Sequence, residues 1–357
     1  LTELGYFDTE KMGINPIPHP ENGTVDIEYT LEEKSSDQLE LSGGFGQGRV
    51  VGSLGVSFSN FSARSLFKKA AWQPLPSGDG QRLSVRAQSN GAYYQSLNMS
   101  FTEPWLGGKK PNSFSVTPFV NRITNGRPKS DVQFGELNIW GLSLGLGRRK
   151  KVPDDFFQEQ FEVNYQYYVL KNYSSASVFT FTNGFSNDLN FKYTLSRNSV
   201  DDIIYPKSGS QVSFSAQSTP PYSLFKGNVN YSDMSDQKKY NLIEYYKIKV
   251  SSAWYTRLTG KLVMYQRIGF GFLGYYSKSL GLTPFQRFYL GGSGLTGYNP
   301  LDGREIIALR GYDDQDVFDY KKSETNRGAA SIVKYTMEVR YPISLNPSAT
   351  IYGLAFT

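Results

Sequence analysis

The chain has 357 residues, with 38 Lys and Arg against 32 Asp and Glu, and a net charge of +6. It contains no cysteine, which excludes a disulfide framework and thiolate metal sites. A Ser-His-Asp triad would have to use the single histidine, His19, and no G-x-S-x-G motif is present. The sequence therefore predicts neither an enzyme nor a bound cofactor.

Hydrophobic residues make up 39% of the chain, yet no stretch approaches the roughly 20 consecutive apolar residues that a membrane helix needs. Aromatic residues reach 15%, with 26 Tyr and 24 Phe, and there are 35 Gly. This composition is typical of a lipid-facing β-barrel, because its strands show apolar side chains only at alternate positions and carry aromatic girdles at both membrane interfaces.

Basic residues are scattered along the chain, whereas nucleic-acid binding would gather them on one face. Two clusters, Lys109-Lys110 and residues 148–151, fall between strand candidates. Contact with phosphate-bearing lipid headgroups or a periplasmic partner explains them more simply, and solvated turns are the plainest interpretation. No nucleic-acid partner is predicted.

The first 36 residues differ from the rest. Residues 1–7 indicate a helix end with Gly5 as its C-cap, and residues 25–32 alternate apolar and acidic side chains like a strand with one buried face. This pattern predicts the C-terminal part of a small α+β module at residues 1–36, followed by a barrel at residues 37–357.

From Gln38 onward the hydrophobic pattern has a period of two. In one segment Leu189 and Phe191 share a face, and Asn190 and Lys192 lie opposite. Repeated tyrosine and segments of about ten residues or more favour a bilayer-spanning barrel over a soluble sandwich. The thirteen strand candidates are 38–47, 50–60, 81–90, 93–105, 112–122, 134–148, 156–170, 185–198, 209–217, 240–258, 261–277, 328–342 and 349–357.

The predicted fold is all-β, a transmembrane antiparallel barrel. The sixth candidate changes polarity near Gly141, which predicts a β-bulge there. Because single-chain bacterial barrels have even strand numbers, about 16 strands are expected in the full protein, with the remainder following Thr357. Compact connections after the fourth, sixth and eighth strands, and long ones after the seventh, ninth and eleventh, fit short periplasmic turns and long outer loops.

Several motifs are more specific than the alternation: Glu103-Pro104-Trp105, Tyr205-Pro206 with Gly209, Arg287-Phe288-Tyr289 with Gly291-Gly292, Arg310-Gly311-Tyr312, and Glu338. In this order they resemble the barrel of the BamA-type outer-membrane protein assembly factors, over essentially all of residues 38–357. The opening segment is similar to the end of the last periplasmic POTRA module of that family. Singly, each motif has a plain interpretation as a strand end, an interface anchor or an ordinary turn.

The resemblance implies that the loop bearing Arg310 folds back into the lumen, where its guanidinium docks on the inner wall. Glu338, on the polar face of its strand, is the predicted partner. Removing one partner in a confined lumen would cost roughly 3–5 kcal/mol, against about 0–1 kcal/mol for a surface pair. Gly311 permits a tight loop tip, and Tyr312 is expected to pack against the wall. A second Gly-Tyr tip at residues 297–298 departs from the shorter loops of the family.

The first barrel strand is rich in glycine, which weakens strand pairing. By resemblance, the seam between this strand and the last one is a lateral gate, where unpaired backbone groups template the C-terminal strand of a client by β-augmentation. Glycine used only for barrel curvature is the plainer alternative. The gate residues are Leu39, Leu41, Gly43, Gly44 and Phe45.

The resemblance implies a bacterial outer-membrane protein with a periplasmic N-terminal module, which folds and inserts client β-barrels. Its partners would be outer-membrane lipids, unfolded barrel clients and the accessory lipoproteins of an assembly complex. The alternative is a two-partner-secretion polypeptide translocator, which shares the Arg-Gly-Tyr loop, or another outer-membrane transport channel.

Overall fold

The computed structural model describes residues 11–32, 37–46, 49–72, 75–173, 179–227, 229–291, 305–309, 311–312, 328–346 and 349–357. A hairpin of β1 (Gly13–His19) and β2 (Thr24–Thr30) precedes one large antiparallel sheet. The thirteen strands of the sheet are β3 (Gln38–Gly46), β4 (Arg49–Phe61), β5 (Gln81–Asn90), β6 (Tyr94–Glu103), β7 (Asn112–Thr124), β8 (Glu136–Arg149), β9 (Phe157–Lys171), β10 (Gly184–Asn198), β11 (Gly209–Ser218), β12 (Tyr246–Arg257), β13 (Val263–Gly274), β16 (Ser331–Asn346) and β17 (Ala349–Phe356).

The connections contain a little regular structure of their own. β14 (Phe288–Leu290) and β15 (Glu305–Ile307) form a two-stranded parallel ribbon. The helices α1 (Tyr222–Phe225) and α2 (Asp236–Lys239) are single turns, and 3-10 turns lie at residues 63–65, 69–71 and 231–233. Within the described ranges, no helix has the length and apolar character needed to cross a membrane.

All thirteen predicted barrel strands are confirmed. Each pairs with its neighbour in chain order, and β13 reaches β16 across the long connection 275–330. The largest boundary difference is at β12, which begins at Tyr246 instead of residue 240. Residues 240–245 leave the sheet because Tyr240, Ile243 and Tyr245 are buried among the connections.

The sheet has a polar inner face and an apolar outer face, as the alternation predicts. On β9 and β10, Asn164 lies opposite Asn190 on the inner face, and its Nδ2 donates to the Asn190 Oδ1 at 3.1 Å. Tyr165 lies opposite Leu189 on the outer face. β9 has 15 residues, so at about 3.3 Å per residue it spans the roughly 30 Å hydrocarbon core even when tilted.

The predicted bulge at Gly141 is wrong. Gly141 pairs with Phe119 on one side and Gln166 on the other, in a register that continues unbroken along β8. The polarity changes because the inner-face residues Leu137 and Ile139 are apolar and fully covered. Register shifts instead occur on β4 between Phe58 and Phe61, and on β16 between Pro342 and Ser344.

Antiparallel order places the connections at two ends of the sheet. The end with connections 62–80, 104–111, 150–156, 199–208 and 258–262 is called the turn end. The opposite end, with connections 91–93, 125–135, 172–183, 219–245 and 275–330, is called the loop end. Its last two connections are the longest of all, which agrees with the asymmetry of outer-membrane barrels.

The N-terminal hairpin precedes β3 in the chain, and β3 begins at the turn end. The strand predicted at residues 25–32 is confirmed as β2, but the buried face predicted for it is wrong, because all its residues are exposed. Its partner β1 was missed. β1 contains Pro16 and Pro18, and prolines argue against a strand unless it lies at an edge, as β1 does. The helix end predicted at residues 1–7 lies outside the described residues.

Candidate functional site

The inner face becomes apolar at the loop end, where connections fold onto it. The Phe285 ring lies 5.3 Å from the Tyr168 ring of β9 and 5.4 Å from the Phe179 ring, measured between centroids. Burying each such side chain stabilises the folded state by roughly 1.5–3 kcal/mol, so the connections are held in the lumen. This lumen cluster comprises Leu137, Ile139, Tyr168, Leu170, Phe179, Tyr240, Ile243, Tyr245, Leu273, Phe285 and Phe288.

The ribbon of β14 and β15, together with Gly291 and residues 308–309, crosses the lumen; these residues are called the strap. The Gly291 amide donates to the Ile307 carbonyl at 3.0 Å, which joins the two halves. Phe288 is fully buried, and a Cβ built on Gly271 of the wall would lie 2.6 Å from its ring. Glycine at position 271 therefore makes room for the strap.

Replacing Gly271 by Ala is expected to displace the Phe288 ring and weaken strap docking by about 1–3 kcal/mol, the usual cost of overpacking. The matched control is Gly269→Ala on the same strand, where an added Cβ meets only the Lys334 carbonyl at 4.0 Å. The rate at which an added protease cleaves the connection 275–330 measures docking. Equal cleavage rates in the two variants would contradict this contact.

An ion-pair network fastens the strap to the wall. The Glu305 carboxylate lies 2.7 Å from the Lys247 Nζ and 2.9 Å from the Lys249 Nζ, both on the inner face of β12. Only 2% of the Lys247 side chain is exposed, and its Nζ also donates to the Gln286 carbonyl at 2.8 Å. Lys334 of β16 donates to the Ala308 carbonyl. The sequence analysis identified none of these residues.

Strap docking is expected to survive mild acid. Burial alone would raise the pKa of the Glu305 carboxyl, but the ammonium groups of Lys247 and Lys249 outweigh burial and lower the pKa below its ordinary 4.5. A lowered pKa contributes stability that is present above 4.5 and lost as the pH falls through the lowered value. Protease cleavage of the strap loop should stay constant from neutral pH to 4.5 and rise only below it. A rise between pH 7 and 5 would contradict this.

Below the strap lies a cavity of 510 Å³ bounded by the inner face of β10 to β16. Its wall carries Lys192, Arg267 and Lys334, with hydroxyl groups between them. Lys192 is paired with Glu162 of β9 at 2.7 Å. The cavity is therefore lined by cationic and hydroxyl side chains of the wall on one side and by the strap on the other.

A buried polar network lies beside the lumen cluster. Asp188 on β10 is fully buried and accepts hydrogen bonds from the Asn190 Nδ2 at 2.9 Å, the Tyr245 hydroxyl at 3.3 Å and the Gln286 Nε2 at 3.4 Å. Gln286 adopts a left-handed conformation with φ of +65°. These bonds tie two connections to the wall, because Tyr245 and Gln286 precede β12 and β14.

The family whose description is the Omp85 superfamily domain matches residues 77–357. The chain belongs to the Omp85 superfamily. Members of this superfamily are bacterial outer-membrane β-barrels that insert or translocate proteins.

Similar solved structures include BamA from Haemophilus ducreyi lacking POTRA domains 1-3, with a TM-score of 0.63 and 18% identity over 99% of this chain and 62% of that chain. CdiB from Escherichia coli matches with a TM-score of 0.49 and 11% identity, over 99% of this chain and 57% of that one. CdiB from Acinetobacter baumannii matches with a TM-score of 0.45 and 14% identity, over 97% of this chain and 54% of that one. The chain thus spans less than two thirds of each of these structures.

In this Omp85 barrel the motif that begins at Arg287 builds the strap. The Arg287 guanidinium donates to the Thr283 carbonyl at 2.8 Å and the Leu282 carbonyl at 3.3 Å, which shapes the approach to β14. Phe288 and Tyr289 are both buried. Gly292 lies outside the described residues.

The predicted loop tip is partly described. Arg310 lies outside the described residues. Gly311 has φ of +87°, and the Tyr312 amide donates to the Leu309 carbonyl at 3.4 Å, so the chain makes a tight turn that favours glycine. Tyr312 is 53% exposed, which contradicts the expectation that it packs against the wall.

Glu338 lies on the inner face of β16, as predicted, and binds Arg340 two residues along the strand. The Arg340 Nε and Nη2 donate to its Oε2 at 2.8 and 2.6 Å. The guanidinium also stacks over the Tyr265 ring at 4.5 Å and lies near the rings of Tyr255 and Tyr352. Sequence reasoning placed Arg340 beside Glu338 on this face without assigning the pair.

The Tyr205-Pro206 motif does more than turn the chain. Tyr205 is 2% exposed, and its hydroxyl donates to the Arg340 carbonyl at 3.2 Å, which joins the connection 199–208 to β16 across two intervening strands. Its ring lies 5.2 Å from the Tyr352 ring of β17. Gly209, with φ of +103°, opens β11 as predicted. The turn end is thereby tied to the last two strands of the sheet.

The remaining motif residues lie where the sequence placed them. β6 ends at Glu103, just before Pro104, and the Glu103 Oε1 accepts from the Trp105 amide at 2.9 Å. Leu39, Leu41 and Phe45 lie on the outer face of β3 and are highly exposed, and neither Gly43 nor Gly44 has an atom near an added Cβ. No close packing therefore requires these two glycines.

Proposed function

We propose that this chain is the barrel of a BamA-type assembly factor, which folds and inserts client β-barrels through a lateral gate between its first and last strands. The observation that carries the proposal is the glycine content of β3, the first strand of the sheet. An added Cβ at Gly43 or Gly44 would meet no atom within 4 Å, so close packing does not account for these glycines.

Such a strand suits templating. A sheet edge offers a row of backbone N–H and C=O groups to another strand, and client pairing by β-augmentation uses those groups. Glycines 43 and 44 weaken the pairing of β3 with any fixed partner, so exchange of one partner strand for another costs less. The closed lumen supports insertion through the wall, because the strap and the lumen cluster obstruct the route along the barrel axis.

Within this proposal, the loop carrying Arg310 keeps the lumen filled and the wall in shape. Arg310 and Glu338 act together, and the Glu338–Arg340 pair holds the carboxylate in position on the inner face. The turn at Gly311 sets the direction of the loop tip. The pair stabilises this arrangement, because leaving one charge unpaired in the lumen would cost roughly 3–5 kcal/mol.

The N-terminal hairpin is the end of a periplasmic POTRA module in this proposal. It precedes β3, which begins at the turn end, and the likeness to the Haemophilus ducreyi BamA structure extends over 99% of the chain. The partners are then outer-membrane lipids, unfolded barrel clients and the lipoproteins of an assembly complex. The sheet topology and the match to the Omp85 superfamily over residues 77–357 do not depend on the hairpin.

Depletion of the protein in its native host tests the proposal. Loss of an assembly factor lowers the amounts of many different outer-membrane barrels together, measured by quantitative proteomics of the outer membrane. Loss of one secreted substrate with unchanged barrel levels would overturn the proposal and favour the two-partner-secretion translocator.

Site-specific cross-linking tests the gate. Because the chain has no cysteine, Gly43→Cys gives a single thiol on β3, and it is expected to cross-link to a thiol in the C-terminal strand of an arriving client. The matched control is Val163→Cys on the outer face of β9, six strands away in the sheet. Equal cross-linking at both positions would contradict templating at β3.

A further inference from the structure

Hydrogen bonds fix the two ends of the connection 62–80 at the turn end. The Ser62 Oγ donates to the Asp79 Oδ2 at 2.7 Å, and the Gly80 amide donates to the Asn60 Oδ1 at 2.9 Å. Ser62 is buried. These bonds clamp both ends of the connection next to β4 and β5.

From this base the connection presents apolar side chains to its surroundings. Phe67 is 97% exposed, and Leu66 and Trp72 are also exposed. The Trp72 Nε1 donates to the Leu66 carbonyl at 3.0 Å, which folds the segment back on itself and groups the three side chains. A fully exposed phenylalanine beside a tryptophan is costly in water and marks a contact surface.

The same segment is cationic. Arg64, Lys68 and Lys69 are exposed, and no acidic residue occurs from residue 62 to residue 78. Aromatic and aliphatic side chains mixed with Lys and Arg are the pattern of a segment that lies in a membrane interface. The charge is complementary to anionic headgroups.

The neighbouring connection 104–111 repeats this pattern. Trp105 is 52% exposed and Leu106 is 44% exposed, followed by Lys109 and Lys110. β5 and β6 pair with each other, so the two connections lie side by side.

Hydrogen bonds join the bases of the two connections. The Ala63 amide donates to the Gln81 Oε1 at 2.7 Å, and the Gln81 Nε2 donates to the Glu103 Oε2 at 2.8 Å. The Glu103 Oε1 accepts from the Trp105 amide at 2.9 Å. One hydrogen-bonded chain therefore holds both apolar and cationic segments in a fixed arrangement.

We propose that these two segments form one anchor, the turn-end patch, that binds the anionic phospholipid surface of the adjacent membrane leaflet. The patch comprises Arg64, Leu66, Phe67, Lys68, Lys69, Trp72, Trp105, Leu106, Lys109 and Lys110. It is continuous with the lipid-facing side of the barrel, because Leu54 and Phe58 of β4 and Met99 and Phe101 of β6 lie on the outer face.

A lipid surface explains both halves of the patch. The apolar side chains enter the interface next to the outer face of the barrel, and the five cations lie where phosphate groups are dense. Each basic residue near an anionic surface shifts the docked-to-undocked ratio by roughly fivefold. The patch adjoins β3 and β4, so it fixes the height of the first strand in the bilayer.

The test uses the full chain with a single fluorescent label in vesicles. Phe67→Cys gives the only thiol, which takes an environment-sensitive fluorophore. Vesicles contain phosphatidylethanolamine alone or with phosphatidylglycerol, and some carry spin-labelled lipids that quench at headgroup depth. The matched control is Val132→Cys in a loop-end connection, 96% exposed.

The label at position 67 is expected to be quenched by the lipids, more strongly with phosphatidylglycerol, whereas the label at 132 stays in water. Reversal of Arg64, Lys68 and Lys69 to Glu should abolish the extra quenching, with heat-modifiable gel migration confirming that the barrel is folded. Equal water exposure at 67 and 132 in both vesicle types would overturn the proposal. So would protection of position 67 in native membranes alone, which would assign the patch to a protein partner.

Discussion

Replacing Glu305 by Gln is expected to release the strap from the lumen wall. The substitution leaves Lys247, of which 2% of the side chain is exposed, without its carboxylate partner. Breaking a buried ion pair costs about 3–5 kcal/mol, since the remaining charge is neither paired nor hydrated. The ratio of docked to undocked strap should fall by at least about a hundredfold. Protease cleavage of the connection 275–330 should accelerate accordingly, at a rate measured in intact membranes.

A second substitution tests whether the strap is released because the Lys247 charge is unpaired or because the protein is generally destabilised. Lys247→Met in the Glu305→Gln background removes the stranded charge and should recover much of the docking, because a buried ion pair is often replaceable by apolar side chains of similar size. Glu32→Gln, which breaks the exposed Lys11–Glu32 pair, is the matched control and should change stability by about 0–1 kcal/mol. No recovery in the double variant would show that Lys247 is not the cause.

Replacing Glu338 by Ala is expected to destabilise the barrel by about 3 kcal/mol. The Arg340 guanidinium, 13% exposed, then loses its carboxylate and keeps only its contacts with tyrosine rings. The midpoint of heat-modifiable gel migration measures the loss. Glu40→Ala is the control, since its pair with Arg86 is also on the inner face but more than half exposed.

Charge exchange separates Arg340, which binds Glu338, from Arg310, the partner proposed for it. Glu338→Arg with Arg340→Glu should recover thermal stability, because both charges stay within the strand. Glu338→Arg with Arg310→Glu should recover barrel assembly in cells, which Arg310→Ala is expected to impair. Wild-type stability and assembly in Glu338→Ala would contradict both roles of this carboxylate.

The strands were predictable because the membrane sets a simple rule. Each spanning strand must alternate, and Gly, Pro and polar clusters interrupt the pattern where the chain turns, so all thirteen strands could be located. The rule fails where the inner face is covered by the chain itself. Leu137 and Ile139 broke the alternation for that reason, and the sequence pattern could not distinguish a covered inner face from a bulge.

The site was harder to predict, because it depends on contacts between distant segments. Phe288 and Glu338 were identifiable from the family motifs. Glu305 meets Lys247 58 positions away in the sequence, and Tyr205 reaches Arg340 across two strands. Nothing local in the sequence signals either contact. The connection 275–330 contains seven acidic residues, so the sequence does not single out Glu305 as the partner of the two lysines.

A cysteine scan along β9 tests the central claim most directly, that alternate side chains meet lipid and the others face a water-filled lumen closed by loops. Single thiols at Val163, Tyr165 and Tyr167 should be quenched by spin-labelled lipid, whereas those at Gln160 and Glu162 should react with a water-soluble maleimide. Thiols at Tyr168 and Leu170, both buried beneath the loop-end connections, should do neither. Uniform reactivity along the strand, or rapid labelling at 168 and 170, would contradict the closed lumen.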